Sequence, residues 1–207
     1  MNTLIIFIKY PLAGKVKTRL AKDVGESEAA RIYSQMAKTI IENTSDPESY
    51  NTIIFYDPPE KEQEIKHWIE KTELQYLPQT GNTLGDRISS AFMKVYSSGA
   101  DKAVIIGSDC IDVNRETINE AMGSLQDVDV VLGPAEDGGY YLLGLKRHIP
   151  EILQEIDWST DRVLGQTLEK IKEKKLKYEL LKTLKDIDTV EDLNGSIEIF
   201  VKAAEAK

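Results

Sequence analysis

The stretch VVLGPAEDGGYYLLGL, Val130–Leu145, decides how the chain is read. Two apolar runs, VVL and YYLLGL, flank an acidic pair and a double glycine. Runs of this length, rich in Val, Leu and Tyr, suit buried strands. Strands so close together are ordinarily joined by a short neutral turn, but this joint carries Glu136 and Asp137 ahead of Gly138 and Gly139. A carboxylate at the mouth of a buried sheet needs a partner, because a desolvated unpaired charge is strongly unfavourable. A metal ion or a polar substrate would serve. Two adjacent glycines let the backbone approach a ligand closely or adopt positive φ. The segment therefore reads as part of an active site.

Similar apolar runs recur on either side of it. Leu4–Ile8, Thr52–Tyr56, Leu74–Leu77, Lys102–Ile106, Asp129–Leu132, Tyr140–Leu145 and Tyr178–Leu181 read as strands. Amphipathic segments at Ser27–Asn43, Lys61–Glu70, Leu84–Ser97, Asn114–Ser124, Thr160–Glu173 and Val190–Ala204 read as helices. Ser27 and the Thr189/Asp192 pair are expected to start two of them. Alternation of this kind predicts an α/β fold, a three-layer sandwich around a mainly parallel mixed sheet, with an antiparallel element near Gly138–Gly139. No linker-like stretch divides the chain, so residues 1–207 read as one domain.

Composition narrows the function classes. With 26 basic and 35 acidic side chains, the net charge is -9, which argues against a nucleic-acid partner. An anionic small substrate must then be met by a local basic cluster or a metal. The run LIIFI is too short for a membrane span or the core of a signal peptide. Cys110 is the only cysteine, so no internal disulfide forms and a cytoplasmic setting is expected. The two histidines, His67 and His148, give no zinc-ligand spacing. Nothing in the sequence speaks to oligomeric state.

Ligands of open α/β sheets bind beyond the carboxyl ends of the strands, and four such segments carry polar chemistry. Lys9–Leu20 holds Gly14, Lys15, Lys17, Thr18 and Arg19, a basic loop in an acidic protein and suited to phosphate oxygens. Gly107–Asp112 places Asp109 directly after an apolar strand, where one carboxylate plus substrate phosphates can hold Mg²⁺ or Mn²⁺. Gly133–Gly139 contains the opening acids. Asp186–Asp192 offers two aspartates on the same side of an extended stretch, one of which completes a metal site or caps the following helix. A fifth loop, Pro78–Ile88, brings Gly81, Gly85, Asp86 and Arg87 to a helix start, as a nucleotide contact or simply a turn. Cys110 reads as a small buried residue.

Together FIKYPLAGKVKTRL, QTGNTLGDRI, IIGSDCIDV, LGPAEDGGYYLLGL and DIDTVEDL resemble, in order and over nearly the whole chain, a family of small bacterial glycosyltransferase-like proteins. That family was first catalogued as a domain of unknown function, with some members linked to arsenosugar biosynthesis and radical-SAM gene neighbourhoods. It is similar to the nucleotide-diphospho-sugar transferase (GT-A) superfold. The resemblance implies that Asp109 and Asp188 hold Mg²⁺ or Mn²⁺ on the nucleotide phosphates. Gly14, Lys15, Lys17, Arg19, Gly81 and Arg87 would bind nucleotide or phosphate. Glu136, Asp137, Gly138 and Gly139 would contact acceptor or sugar, with Asp109, Asp137 and Lys17 carrying the chemistry. The sequence departs from its relatives in having one glycine in Pro11–Gly14 and one aspartate in GSDC. The implied activity is transfer from a nucleotide-linked donor to a small-molecule acceptor, with glycosyl transfer ahead of nucleotidyl transfer onto a phosphorylated acceptor. A non-catalytic nucleotide-binding protein is the third reading.

Overall fold

The structure, a computed structural model, describes residues 1–193. Seven strands form one sheet: β1 (Thr3–Lys9), β2 (Asn51–Asp57), β3 (Gln75–Pro78), β4 (Ala103–Ile106), β5 (Val130–Pro134), β6 (Tyr140–Leu145) and β7 (Tyr178–Leu180). They lie in the order β3-β2-β1-β4-β6-β5-β7. Pairing is parallel except for β6, which runs antiparallel to both β4 and β5. Among the described residues the helices are α1 (Ala21–Val24), α2 (Glu26–Thr44), α3 (Glu62–Ile69), α4 (Leu84–Ser97), α5 (Arg115–Ser124) and α6 (Val163–Glu173).

The strands are apolar on both faces because both faces are covered. Successive side chains point to opposite sides, so Leu4, Ile6 and Ile8 of β1 join one core while Ile5 joins the other. The first core is closed by Ala37, Ile40 and Ile41 of α2, Ile65 and Ile69 of α3, and Ile118, Ala121 and Met122 of α5. The second is closed by Ile88, Ala91, Phe92 and Val95 of α4 and Ile171 of α6, with a short 3₁₀ turn at Pro150–Leu153. Three layers result, as the alternation of runs predicts.

Side-chain caps start two of these helices, α4 and α5. Thr83 accepts from the Asp86 amide and Asp86 returns a bond to the Thr83 amide, which fixes the first turn of α4. Asn114 caps α5 through the Thr117 amide. Ser27, expected to start α2, instead lies in its first turn, because Gly25 at φ +86 takes the cap position. Asp192 accepts from the Thr189 amide as expected, but the element it belongs to is a 3₁₀ turn, Glu191–Leu193. The rest of the expected helix Val190–Ala204 lies outside the described residues. Helix α1 has no counterpart among the helices expected from the sequence.

Candidate active site

The parallel strands β1 and β4 end at the same edge of the sheet, and β6 begins there because it runs the other way. A cleft of about 780 Å³ opens over that edge. The four strand-end segments read from the sequence all reach it. The tail after β7 follows β5: the Leu181 amide donates to Leu132 O and the Leu184 amide to Pro134 O. The Ile187 amide then donates to Asp109 O at 2.9 Å, which brings Asp186 and Asp188 alongside the end of β4.

At the centre, the Lys17 ammonium lies 2.5 Å from Asp109 Oδ1 and 3.0 Å from Asp188 Oδ1. The Arg19 guanidinium reaches Asp188 Oδ2 at 3.2 Å. The Lys17 side chain is only 4% exposed, whereas Asp109 and Asp188 are 49% and 38% exposed and face the cleft. Burial alone would lower the Lys17 pKa, but the two carboxylates outweigh it and hold the ammonium above its ordinary value. The Lys17 backbone sits at φ +46, an uncommon conformation for a residue with a Cβ and one that clusters at functional sites.

Behind this trio lies Asp186. Its Oδ1 is shut off from solvent without a hydrogen-bond partner among the described residues. Burial, and next the charges of Asp109 and Asp137, push its carboxyl pKa up to about 7. Tyr33 of α2 braces the floor: its hydroxyl accepts from the Lys9 amide at 2.8 Å and lies 2.9 Å from Ser108 Oγ. Gln79 links β1 to β2, its side-chain amide donating to Ile8 O and Phe55 O at 3.1 Å each. Cys110 is buried and its thiol is pushed up to about 12, so it offers no thiolate nucleophile.

The opposite wall is the turn of the opening stretch against the segment before α6. Asp137 accepts from the Gly139 amide at 2.9 Å and faces the cleft together with Gly139. Gly138, at φ +89, has a different reason to be glycine: a Cβ there would stand 2.2 Å from Asp161 O. The Leu164 amide donates to Gly138 O at 2.9 Å, so the turn and the start of α6 are locked together. Trp158 crosses the first turn of α4, where a Cβ on Gly85 would meet its Nε1 at 2.6 Å.

Of the residues singled out in the sequence, the cleft wall includes Lys15, Lys17, Arg19, Asp109, Asp137, Gly139 and Asp188. Gly14, Gly81, Arg87, Glu136 and Gly138 lie outside it. Gly14 turns at φ +74 beside the Glu26 carboxylate. Arg87 pairs with Asp57 at 3.3 Å and donates to Gly81 O, bracing the Gln79 loop from behind. Glu136 is exposed, its amide held by Leu184 O. Sequence reasoning misses Tyr33, Gln79 and Trp158–Asp161. The last of these carries a signal, a tryptophan inside the polar run DWSTDR.

Asp109 and Asp188 present hard carboxylate oxygens to the cleft and fit Mg²⁺ or Mn²⁺. Among the described residues no group of three or more His, Cys, Asp or Glu is arranged to hold a metal unaided, so remaining ligands would come from substrate oxygens and water. No helix among the described residues is long and apolar enough to cross a membrane.

With the strand order β3-β2-β1-β4-β6-β5-β7, β6 antiparallel, and a cleft beyond the strand ends, this three-layer α/β sandwich is of the GT-A, nucleotide-diphospho-sugar transferase type. Residues 40–160 match the family described as "Uncharacterized protein conserved in bacteria (DUF2064)", and the chain belongs to that family. It is similar to a crystal structure from Desulfovibrio desulfuricans G20 described provisionally as a nucleotide-diphospho-sugar transferase. The two share 31% identity and a TM-score of 0.90 over 99% of this chain and 95% of that one. Two further structures share the fold at low identity. CMP:2-keto-3-deoxy-manno-octonic acid synthetase complexed with CTP has 10% identity and a TM-score of 0.57, over 100% of this chain and 99% of that one. Rv0371c from Mycobacterium tuberculosis H37Rv, in complex with manganese, has 11% identity and a TM-score of 0.54, over 95% and 98%. Comparison with curated proteins finds no match.

Proposed function

We propose that the protein is a metal-dependent transferase acting on a nucleotide-linked donor, and that it transfers a glycosyl group to a small-molecule acceptor. The observation that carries this reading is the pair Asp109 and Asp188, both open to the cleft and both paired to one buried ammonium beside a basic loop. Carboxylates arranged this way can exchange or share a cation. The family membership and the 31% identical relative support the transferase class.

Asp109 and Asp188 would hold Mg²⁺ or Mn²⁺, which when bound neutralises a diphosphate and makes it a better leaving group. Lys17 and Arg19 orient the phosphate oxygens and offset the charge that develops on them. Lys15 adds a solvent-facing contact at the mouth of the loop. Asp137, fixed by the Gly139 amide, accepts the proton of the acceptor hydroxyl or orients it. Asp186, its carboxyl pushed up to about 7 chiefly by burial, is only partly ionised at neutral pH and so adds less negative charge beside the diphosphate. The reading covers one domain over residues 1–207 and places the enzyme in the cytoplasm, which the lone buried cysteine supports.

The test is incubation with UDP- and GDP-sugars, Mn²⁺ and an acceptor panel, following nucleoside diphosphate release. Release is expected and is lost in Asp109→Asn; silence across the panel defeats the reading. Nucleotidyl transfer is the second reading, favoured by the number of basic groups in Lys15–Arg19, more than a diphosphate requires. Pyrophosphate release across four NTPs with phosphorylated acceptors would establish it instead.

A further inference from the structure

The basic groups of the cleft are confined to one side, where Lys17 and Arg19 pair with Asp109 and Asp188. The basic lining residues, Lys9, Lys15, Lys17 and Arg19, all come from β1 and the loop after it. From Tyr33 onward, every charged lining residue is an aspartate. Between α4 and the segment 158–163 the cleft also changes character. Leu84, Ile88, Ile105 and Leu143 line it there with Tyr140 and Trp158, and the polar groups facing it are Asp137, Asp161 and hydroxyls.

Resting on the transferase reading, we propose that this end is the acceptor subsite and that it takes an uncharged compound with a ring and free hydroxyls, not a phosphorylated one. The phosphates of the donor go to the side that has the cations, leaving the apolar end for the second substrate. Trp158 is fixed there as a platform. Gly85 lets its indole lie directly across the start of α4, and Tyr140 meets it edge-on with ring centroids 6.3 Å apart. A rigid aromatic face holds the apolar side of a ring while carboxylates bind its hydroxyls, a pairing common in small-molecule sites.

A phosphate in the same place would face Asp137 and Asp161 with no basic side chain on that wall. The nearby Arg162 is engaged by Asp157 at 3.1 Å and is not part of the wall. Selection against phosphate is thus built from repulsion as much as from contact. The base of the donor would use the Lys9 and Gln79 side, where a buried amide and backbone carbonyls lie.

The chain has two tryptophans. Trp68 does not line the cleft but packs behind Val16 and Tyr33, its indole N–H donating to Ser34 Oγ, so Trp68→Phe leaves Trp158 as the sole indole reporter. The probes are phenyl β-glucoside, its 6-phosphate, and the four ribonucleosides, titrated by Trp158 fluorescence in Trp68→Phe and by calorimetry in the unaltered protein. The neutral glucoside should shift Trp158 emission and bind at least about tenfold more tightly than its phosphate, a ratio that Asp161→Asn and Asp137→Asn each reduce. Equal or tighter binding of the phosphate overturns the proposal. So does a failure of both glucosides to bind, or a Trp158 response to nucleosides alone. Binding is read without turnover, so selective glucoside binding with no nucleoside diphosphate release would defeat the glycosyl-transfer reading while leaving the subsite in place.

Discussion

Replacing Gly138 by alanine separates the two roles a glycine can have in the opening stretch. Gly138 sits at φ +89, and a Cβ built there lies 2.2 Å from Asp161 O and 2.7 Å from both Asp161 C and Cα. An ordinary contact is near 3.4 Å, so the backbone around Asp161 must move by roughly 1 Å, and overpacking of that kind costs about 1–3 kcal/mol. The left-handed backbone adds about 1–2 kcal/mol for any residue with a Cβ. Gly99 supplies the control: it has nearly the same φ, +90, with nothing within 4 Å of a built Cβ. Gly99→Ala should therefore lose about 1 kcal/mol and Gly138→Ala about 3 kcal/mol. For a chain of this length, thermal melts should show drops of roughly 2–4 °C and 6–12 °C respectively. Urea unfolding gives the free-energy difference directly through a lower midpoint at unchanged slope. If the two variants lose equal stability, the close approach of the 158–163 segment to the turn is refuted and only the backbone conformation matters.

The same geometry fixes three further outcomes. Asp186 titrates near 3.8 when unfolded and at about 7 when folded, so between those values the folded state holds the extra proton and wild-type stability falls as pH rises. Asp186→Asn should be the more stable protein above about pH 7, by at most about 4 kcal/mol. That advantage should fade towards about pH 4 in pH-resolved melts; a constant offset would refute it. Lys17 and Arg19 are shared with Asp109 and Asp188, so their pull on a diphosphate without a divalent cation is weakened, and UDP or GDP binding by calorimetry should weaken at least about tenfold when EDTA replaces Mn²⁺. Affinity indifferent to chelation would refute that charge argument. Gly85→Ala should displace Trp158 and change its emission and near-ultraviolet dichroism in the Trp68→Phe background, at a cost of about 1–3 kcal/mol.

The layers of the fold were legible because burial on both faces leaves uninterrupted apolar runs, as in LIIFI and VVL, and these have no other stable home in a water-soluble sandwich. The antiparallel β6 was legible from spacing alone, since too few residues separate Leu132 from Tyr140 for a crossover. Cap positions were less so. Ser27 has the right side chain for a helix start, but Gly25 at positive φ turns the chain two residues earlier, and that choice is made by the packing of α2 against its neighbours. Residues 150–159 gave no periodic pattern because they form a 3₁₀ turn and loops, held by contacts to α4 and α6, and α6 starts at Val163, three residues after the expected Thr160.

The site was legible in its chemistry and not in its pairings. Strand ends carrying aspartate and lysine could be collected from the sequence, and Lys15, Lys17, Arg19, Asp109, Asp137 and Asp188 do reach one cleft. The sequence does not say that Lys17 would be buried against Asp109 and Asp188, because that depends on the tail after β7 following β5 to the end of β4. The same path decides between the two aspartates of KDID. Asp188 meets cations and faces the cleft, while Asp186 is more buried, its Oδ1 without a partner among the described residues and its carboxyl pushed up to about 7. The double glycine divides in a similar way. Gly139 lies on the cleft wall, whereas Gly138 is glycine because another stretch of backbone passes where its side chain would be. An acidic turn with two glycines thus reaches a cleft with only half of its four residues, Asp137 and Gly139, while Gly138 serves the packing of the wall.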